Sequence, residues 1–170
     1  QTGERMPEEM HDAVKPGVHL TSQYHEEKEV KEGISVNLNA APAPFTTGIP
    51  LRLDFFVNKK PGNMPVAYEE LEVEHAKKMH VIGLRDDLNE FFHIHPESVE
   101  STPGLFNTTF VFKNAGRYKI WSEIKKDGVN HAFSHPEISV IGGGILSQKS
   151  VDFGRNKIVG SYQISLKFDE

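Results

Sequence analysis

Two histidines separated by one residue are the feature of this sequence best suited to chemistry. His93 and His95 lie in the run FFHIHP (residues 91–96). Alternate residues of a β-strand point to the same face, so the two imidazoles are predicted to project side by side. Imidazole nitrogen is a good ligand for Cu(II) and Zn(II). The pair therefore predicts part of a metal site.

A β-hairpin is predicted to bring further ligands to this pair. The segment MHVIGLR (79–85) has the pattern of a strand, and the polar sequence DDLNE (86–90) is typical of the turn that would join it to the histidine strand. Two hairpin registers are open, and they differ by one residue. The register that places Leu84 opposite Phe92 buries more apolar surface, and we expect it.

The register decides which side chains share the face of the histidine pair. The expected register groups Met79 with His93 and His95, and it turns His80 towards the core unless a bulge redirects it. The other register places His80 beside His95. Both Met79 and His80 are therefore candidate ligands. A site that includes methionine would favour Cu(I), whereas three histidines would favour Cu(II) or Zn(II).

A second pair of histidines, His131 and His135, lies in the segment NHAFSHP (130–136). Four positions along a strand span roughly 13 Å, so the two imidazoles cannot chelate one ion together unless the strand bends. Either residue is a candidate for completing the ligand shell of the first pair if its strand lies nearby.

The composition restricts the chemistry that is available. The 170 residues include nine histidines and no cysteine, which excludes thiolate zinc sites, cysteine nucleophiles and blue-copper centres. The formal net charge of −5 and the lack of a Lys/Arg cluster argue against a nucleic-acid partner. No apolar run approaches the roughly 18 residues needed to cross a bilayer.

Short alternating segments predict an all-β fold. Residues 33–141 alternate apolar and polar side chains over about seven short strands separated by turn residues, a spacing that suits an antiparallel β-sandwich. Residues 1–32 are rich in charge and are predicted to form a flexible or loosely docked polar arm. The histidines of this arm are expected to be solvent-exposed; they are His11, His19 and His25.

The C-terminal segment, residues 142–170, begins with three glycines and is predicted to be a linker followed by strands. Residues 160–168 (GSYQISLKF) echo residues 33–38 (GISVNL). They are either the first strand of a second repeat or part of a hairpin that completes the sandwich. Because an unpaired edge strand invites association, we expect pairing within the domain or with another protomer.

The run MHVIGLRDDLNEFFHIHP (79–96) resembles a group of bacterial secreted domains that combine a Met-His or Gly-His strand, an acidic turn and a Phe-x-His-x-His-Pro segment. The segments GLF (104–106) and AGRYKIW (115–121) also resemble that group, over roughly residues 33–141. The resemblance implies an Ig-like or cupredoxin-like sandwich, a periplasmic or cell-surface location, and copper or heavy-metal handling. The residues that match the group's motif are His80, His93 and His95.

Together these observations predict a metal-binding protein without catalytic activity that sequesters, delivers or senses copper outside the cytoplasm, with zinc as the alternative ion. A metal-transport or envelope protein is the expected partner, and an oligomer through the terminal strand is left open. One alternative is an Ig-like interaction or assembly module with structural histidines; another is a mononuclear metalloenzyme with Glu97 as acid or base. Imidazole nitrogens converging to within about 3 to 4 Å would favour the metal site.

Overall fold

The computed structural model of this chain describes residues 22–26, 30–143 and 153–168. These residues form thirteen strands and one short 3-10 helix, Tyr68–Glu70. No helix in this part of the chain is long and apolar enough to span a membrane. The strands are β1 (Ser22–Glu26), β2 (Gly33–Ala41), β3 (Pro50–Lys60), β4 (Met64–Pro65), β5 (Met79–Arg85), β6 (Phe91–Ile94), β7 (Glu97–Ser98), β8 (Leu105–Val111), β9 (Gly116–Lys126), β10 (Val129–Ser134), β11 (Ile138–Val140), β12 (Asn156–Val159) and β13 (Tyr162–Ser165).

Two sheets form the body of the fold. The first sheet has the order β1-β10-β9-β5-β6, with β11 also paired to β9. The second has the order β2-β3-β8-β7, with β4 also paired to β3. The pairing within these sheets is antiparallel apart from that of β1, which runs parallel to β10. The predicted all-β sandwich is confirmed.

The core lies between the two sheets and follows from the alternation of side chains. Every second residue of β3 from Leu51 to Val57 is buried, because alternate residues of a strand face the same side. The first sheet contributes a matching set of buried side chains. These include Met79, Val81, Tyr118, Ile120, Ile124 and Phe133.

The β5–β6 hairpin adopts the register that we did not expect. Val81 is opposite Ile94 and Gly83 is opposite Phe92, so the prediction that Leu84 faces Phe92 is wrong. The physical reason for the observed register is that Gly83 has no side chain. A Cβ atom on Gly83 would lie 1.9 Å from the Phe92 ring, which shows that the ring occupies the space that a side chain would need. A comparison of the apolar residues in the two registers does not detect the space that Gly83 leaves for the Phe92 ring.

A buried ion pair holds the turn between these two strands. Arg85 is 4% exposed and donates hydrogen bonds of 2.8 Å to both carboxylate oxygens of Asp87. The guanidinium holds the pKa of the Asp87 carboxyl well below its usual range, and hydrogen bonds from Asn89 add to the effect. At the end of the turn, Tyr118 donates a hydrogen bond of 2.7 Å to Glu90. The acidic turn motif therefore supports the hairpin.

Part of the predicted N-terminal arm is docked on the sandwich. Strand β1 pairs with β10 along its whole length, and the indole nitrogen of Trp121 lies 3.3 Å from the Tyr24 hydroxyl oxygen. Residues 1–21 of the arm, with His11 and His19, and residues 27–29 lie outside the described residues.

The C-terminal strands β12 and β13 form a separate two-stranded sheet. Within the ranges that the structure describes, the two strands pair with each other and belong to neither sandwich sheet. Residues 144–152 of the predicted linker lie outside those ranges. Association through the terminal strand and the second-repeat interpretation stay predictions. The exposed apolar side chains of the two strands are Ile158, Val159, Tyr162 and Ile164.

Candidate metal centre

The observed register places three histidines together on the outer face of the first sheet. His80 lies on β5, His93 on β6, and His95 directly after β6. Because Val81 is opposite Ile94, the next pair along the hairpin brings His80 beside His95. The exposure differs among the three histidines, since His80 is buried, His95 is half-buried and His93 is exposed. We call these three residues the histidine cluster.

The ring nitrogens of the histidine cluster converge. Nδ1 of His80 lies 3.2 Å from Nε2 of His93 and 3.1 Å from Nε2 of His95. Nitrogens bound tetrahedrally to one ion at about 2.0–2.1 Å are roughly 3.3 Å apart. Both distances are therefore close to those expected of ligands around a single metal ion, and the ligand atoms of all three histidines lie within 4.8 Å of one another.

A backbone hydrogen bond determines which nitrogen of His80 is available. Nε2 of His80 lies 2.8 Å from the carbonyl oxygen of Glu74. A carbonyl oxygen only accepts, so Nε2 carries the proton and Nδ1 presents its lone pair. One lone pair cannot accept well-directed hydrogen bonds from both His93 and His95, whereas an ion would satisfy all three nitrogens. Metal-bound histidines usually donate their other N–H to such a carbonyl.

The surroundings of His95 favour its neutral form. Burial lowers the pKa of His95, and the nearby imidazoles of His80 and His93 lower it further because a second positive charge beside them is unfavourable. A metal ion needs the lone pair of a neutral imidazole. The lowered pKa therefore favours metal binding at near-neutral pH.

A cleft of about 250 Å³ opens beside the histidine cluster. Glu123 lies directly opposite His80 on the neighbouring strand β9, and its carboxylate faces the same cleft. The side-chain amide of Asn130 donates a 3.0 Å hydrogen bond to the carboxylate of Glu74. The residues that line the cleft are Glu74, His75, His80, Ile82, His93, Glu123 and Asn130.

The structure does not place Met79 with the histidine cluster. Met79 has no exposed surface and lies opposite Ile124 on β9, in the row of side chains that faces the core. The prediction of Met79 as a ligand depended on the expected hairpin register. Since side chains alternate along a strand, the one-residue change moved Met79 to the core and His80 to the outer face.

The structure also separates His131 and His135 from the cluster. His135 is 1% exposed, its Nε2 lies 2.8 Å from the Ser122 hydroxyl oxygen, and its ring meets Phe55 in an edge contact. His131 has its Nδ1 3.3 Å from Nε2 of His25. His25 is half-buried, which corrects the expectation that it is solvent-exposed. These histidines have partners of their own inside the sandwich.

Two acidic side chains lie near the histidine cluster, and the sequence suggested one of them. Glu97 is exposed, forms an ion pair with Lys77 and acts electrostatically on His95. Glu123 lines the cleft, and it was not predicted from the sequence, nor was the role of the Glu74 carbonyl. No local signal marks Glu123, because the pairing of β5 with β9 joins segments about 40 residues apart in the chain. The Glu74 carbonyl reaches His80 through the turn closed by Glu74 and Lys77.

The fold and the site define a class of β-sandwich protein with three converging histidines on the outer face of one sheet. The chain belongs to the family of the domain of unknown function DUF8832, whose model matches residues 28–138. A search of curated proteins gives no significant match. Among solved structures, the chain is similar to a superoxide reductase (neelaredoxin) from Ignicoccus hospitalis, with 11% identity and a TM-score of 0.40 over 69% of this chain and 94% of the other.

Proposed function

We propose that this protein binds one copper ion through His80, His93 and His95, with zinc as the alternative ion. The observation that carries the proposal is the convergence of three ring nitrogens while the other nitrogen of His80 is held by the Glu74 carbonyl. Buried imidazoles with a structural role normally find separate partners, as His135 does with Ser122. The histidine cluster has its nitrogens directed at one another instead.

The ligand set supports a divalent ion. The cluster offers three imidazoles, while the thioether of Met79 is buried on the opposite face. Imidazole nitrogen suits Cu(II) and Zn(II), and Cu(II) binds more tightly than Zn(II) to the same nitrogen site. We therefore propose Cu(II) as the preferred ion. Without a methionine thioether among the ligands, the site does not favour Cu(I).

We propose that the protein sequesters or delivers copper outside the cytoplasm and does not catalyse a reaction. The exposure of His93 supports this role, because an ion at the surface of a sheet can exchange with another protein. The resemblance of residues 79–96 to secreted bacterial domains supports the location. A metal-transport or envelope protein is the proposed partner in the exchange.

A metal titration tests this proposal. The purified metal-free protein is titrated with Cu(I), Cu(II) and Zn(II) against chromophoric chelators, beside the double variant His93→Ala/His95→Ala. We expect one-to-one binding that the double variant weakens by roughly 100-fold or more. The matched control is His25→Asn/His131→Asn, which removes a histidine pair outside the cluster and should leave the affinity unchanged.

Weak, unsaturable binding by the unaltered protein would contradict the proposal. So would equal losses of affinity in the two double variants, since that result would mean that any pair of histidines contributes. Thermal unfolding of each variant in the absence of metal shows whether a loss of binding reflects a loss of folded protein.

A further inference from the structure

A tight turn at residues 74–77 lies beside His80 and has two residues with positive φ angles. Glu74 and Lys77 close the turn through backbone hydrogen bonds of 2.8 and 3.0 Å. The two residues between them, His75 and Ala76, have φ angles of +46° and +69°. Two-residue turns with positive φ at both central positions strongly favour asparagine and glycine. Histidine is tolerated at positive φ but is less common there than asparagine or glycine, so its presence at the first position is consistent with a functional role.

The backbone of this turn is anchored to the metal site. The Glu74 carbonyl accepts the hydrogen bond from Nε2 of His80, and the Glu74 carboxylate accepts one from Asn130 on β10. These two contacts hold the backbone of the turn against His80 and β10. The part that can reorient is the exposed side chain of His75, because rotation of exposed side chains takes only picoseconds to nanoseconds.

The imidazole of His75 lies beside that of His80. Its ring is 6.2 Å from the ring of His80, measured between centroids. The three rings of the cluster are separated by 4.7 to 5.4 Å, as expected for imidazoles around one ion, whose centroids are roughly 5 Å apart. A shift of about 1 Å would bring the His75–His80 pair into that range, and rotation of the exposed side chain would have to bring the ring towards His93 as well. His75, His80 and His93 line the same cleft, where such a rotation would take place.

We infer that His75 is the fourth ligand of the metal ion and closes the site when the ion is bound. This inference rests on the proposed function. Four protein ligands fill the four positions of a tetrahedral site or of the plane of a tetragonal Cu(II) site, and four protein ligands are typical of zinc sites that hold the ion without catalysis. Rotation of His75 away from the cluster opens the fourth position to a ligand from a partner protein. The turn thus provides a route for copper transfer.

The test uses His75→Asn, His25→Asn and His93→Ala in the full chain, with Cu(II) alone as the probe. Asparagine tolerates the positive φ of the turn, so His75→Asn removes the imidazole while it preserves the backbone. We expect His75→Asn to weaken Cu(II) binding by at least about tenfold. Electron paramagnetic resonance of the loaded protein should show one coupled nitrogen fewer than in the unaltered chain. The melting temperature without metal should be equal or higher.

His25→Asn is the matched control, because it makes the same substitution at a histidine that pairs with His131 and does not line the cleft. We expect its Cu(II) affinity to stay within about twofold of the unaltered protein. Unchanged affinity and an unchanged nitrogen pattern in His75→Asn would overturn the inference, as would an equal or larger loss in His25→Asn. If His93→Ala also binds Cu(II) like the unaltered protein, the proposed function falls, and the fourth ligand falls with it.

Discussion

Nε2 of His80 lies 2.8 Å from the backbone carbonyl oxygen of Glu74. This contact links a turn outside the hairpin to the geometry of the metal site, because it fixes both the orientation of the His80 ring and the nitrogen that carries the proton. His80 therefore differs from the other two ligands, because it offers Nδ1 to the ion whereas His93 and His95 offer Nε2. A site built in this way should bind an ion through one Nδ1 and two Nε2 atoms.

The tautomer of His80 is directly measurable. In ¹⁵N-labelled protein without metal, we expect Nε2 of His80 to be protonated and Nδ1 to be unprotonated at neutral pH. On addition of Zn(II), which is diamagnetic, the Nδ1 resonance of His80 and the Nε2 resonances of His93 and His95 should shift. A shift at Nε2 of His80, with Nδ1 unchanged, would contradict the assignment.

Replacement of Met79 by leucine distinguishes the core position from a ligand position. Because Met79 packs between the sheets, we expect Met79→Leu to change the free energy of unfolding by less than about 1.5 kcal/mol and to leave Cu(II) and Cu(I) affinities unchanged. Chelator competition measures the affinities and urea unfolding measures the stability. Met64→Leu, at an exposed position, is the matched control. A selective loss of Cu(I) affinity in Met79→Leu would show that the thioether reaches the ion.

The contact between Gly83 and Phe92 should determine the stability of the hairpin. Gly83→Ala places a methyl group where the Phe92 ring lies, and we expect it to lower the free energy of unfolding by about 1–3 kcal/mol. Adding Phe92→Leu should recover part of that loss, since leucine leaves more room. Urea unfolding of the two single variants and the double variant measures the coupling.

Gly143→Ala is the control for this experiment, because nothing lies within 4 Å of the added methyl group there. We expect its effect on stability to be within about 0.5 kcal/mol. If Gly83→Ala is as well tolerated as Gly143→Ala, Phe92 does not fix the register. The altered hairpin should also bind Cu(II) less tightly, since His80 and His95 depend on that register.

The sequence allowed the sandwich and the His93/His95 pair to be predicted, because both follow from the alternation of side chains along strands. The position of His80 could not be predicted in the same way. It depends on a one-residue register that the Gly83–Phe92 contact and the buried Arg85 select. The roles of the Glu74 carbonyl and of Glu123 could not be predicted for another reason. A turn and a distant strand bring them to the site only in the folded chain.

The pair His25 and His131 should make stability depend on pH. Burial lowers the pKa of His131 below its ordinary value of 6.5, and the neighbouring His25 adds to the shift. The unfolded chain then binds this proton at a higher pH than the folded chain does. The contribution to the free energy of unfolding is therefore complete above the ordinary pKa and is lost as the pH falls towards the lowered one.

Urea unfolding at about pH 7.5 and about pH 5 measures this dependence. We expect the unaltered protein to lose more stability between the two conditions than His131→Asn does. Some dependence should persist in the variant, because the pKa of His95 is also lowered. Equal losses in the two proteins, or greater stability at the lower pH, would contradict the account of His131.

The most direct test of the central claim is anomalous diffraction at the copper absorption edge, from crystals of the protein loaded with one equivalent of Cu(II). We expect a single strong peak about 2 Å from Nδ1 of His80 and from Nε2 of both His93 and His95. A principal peak between His25 and His131, or no peak within the histidine cluster, would contradict the account.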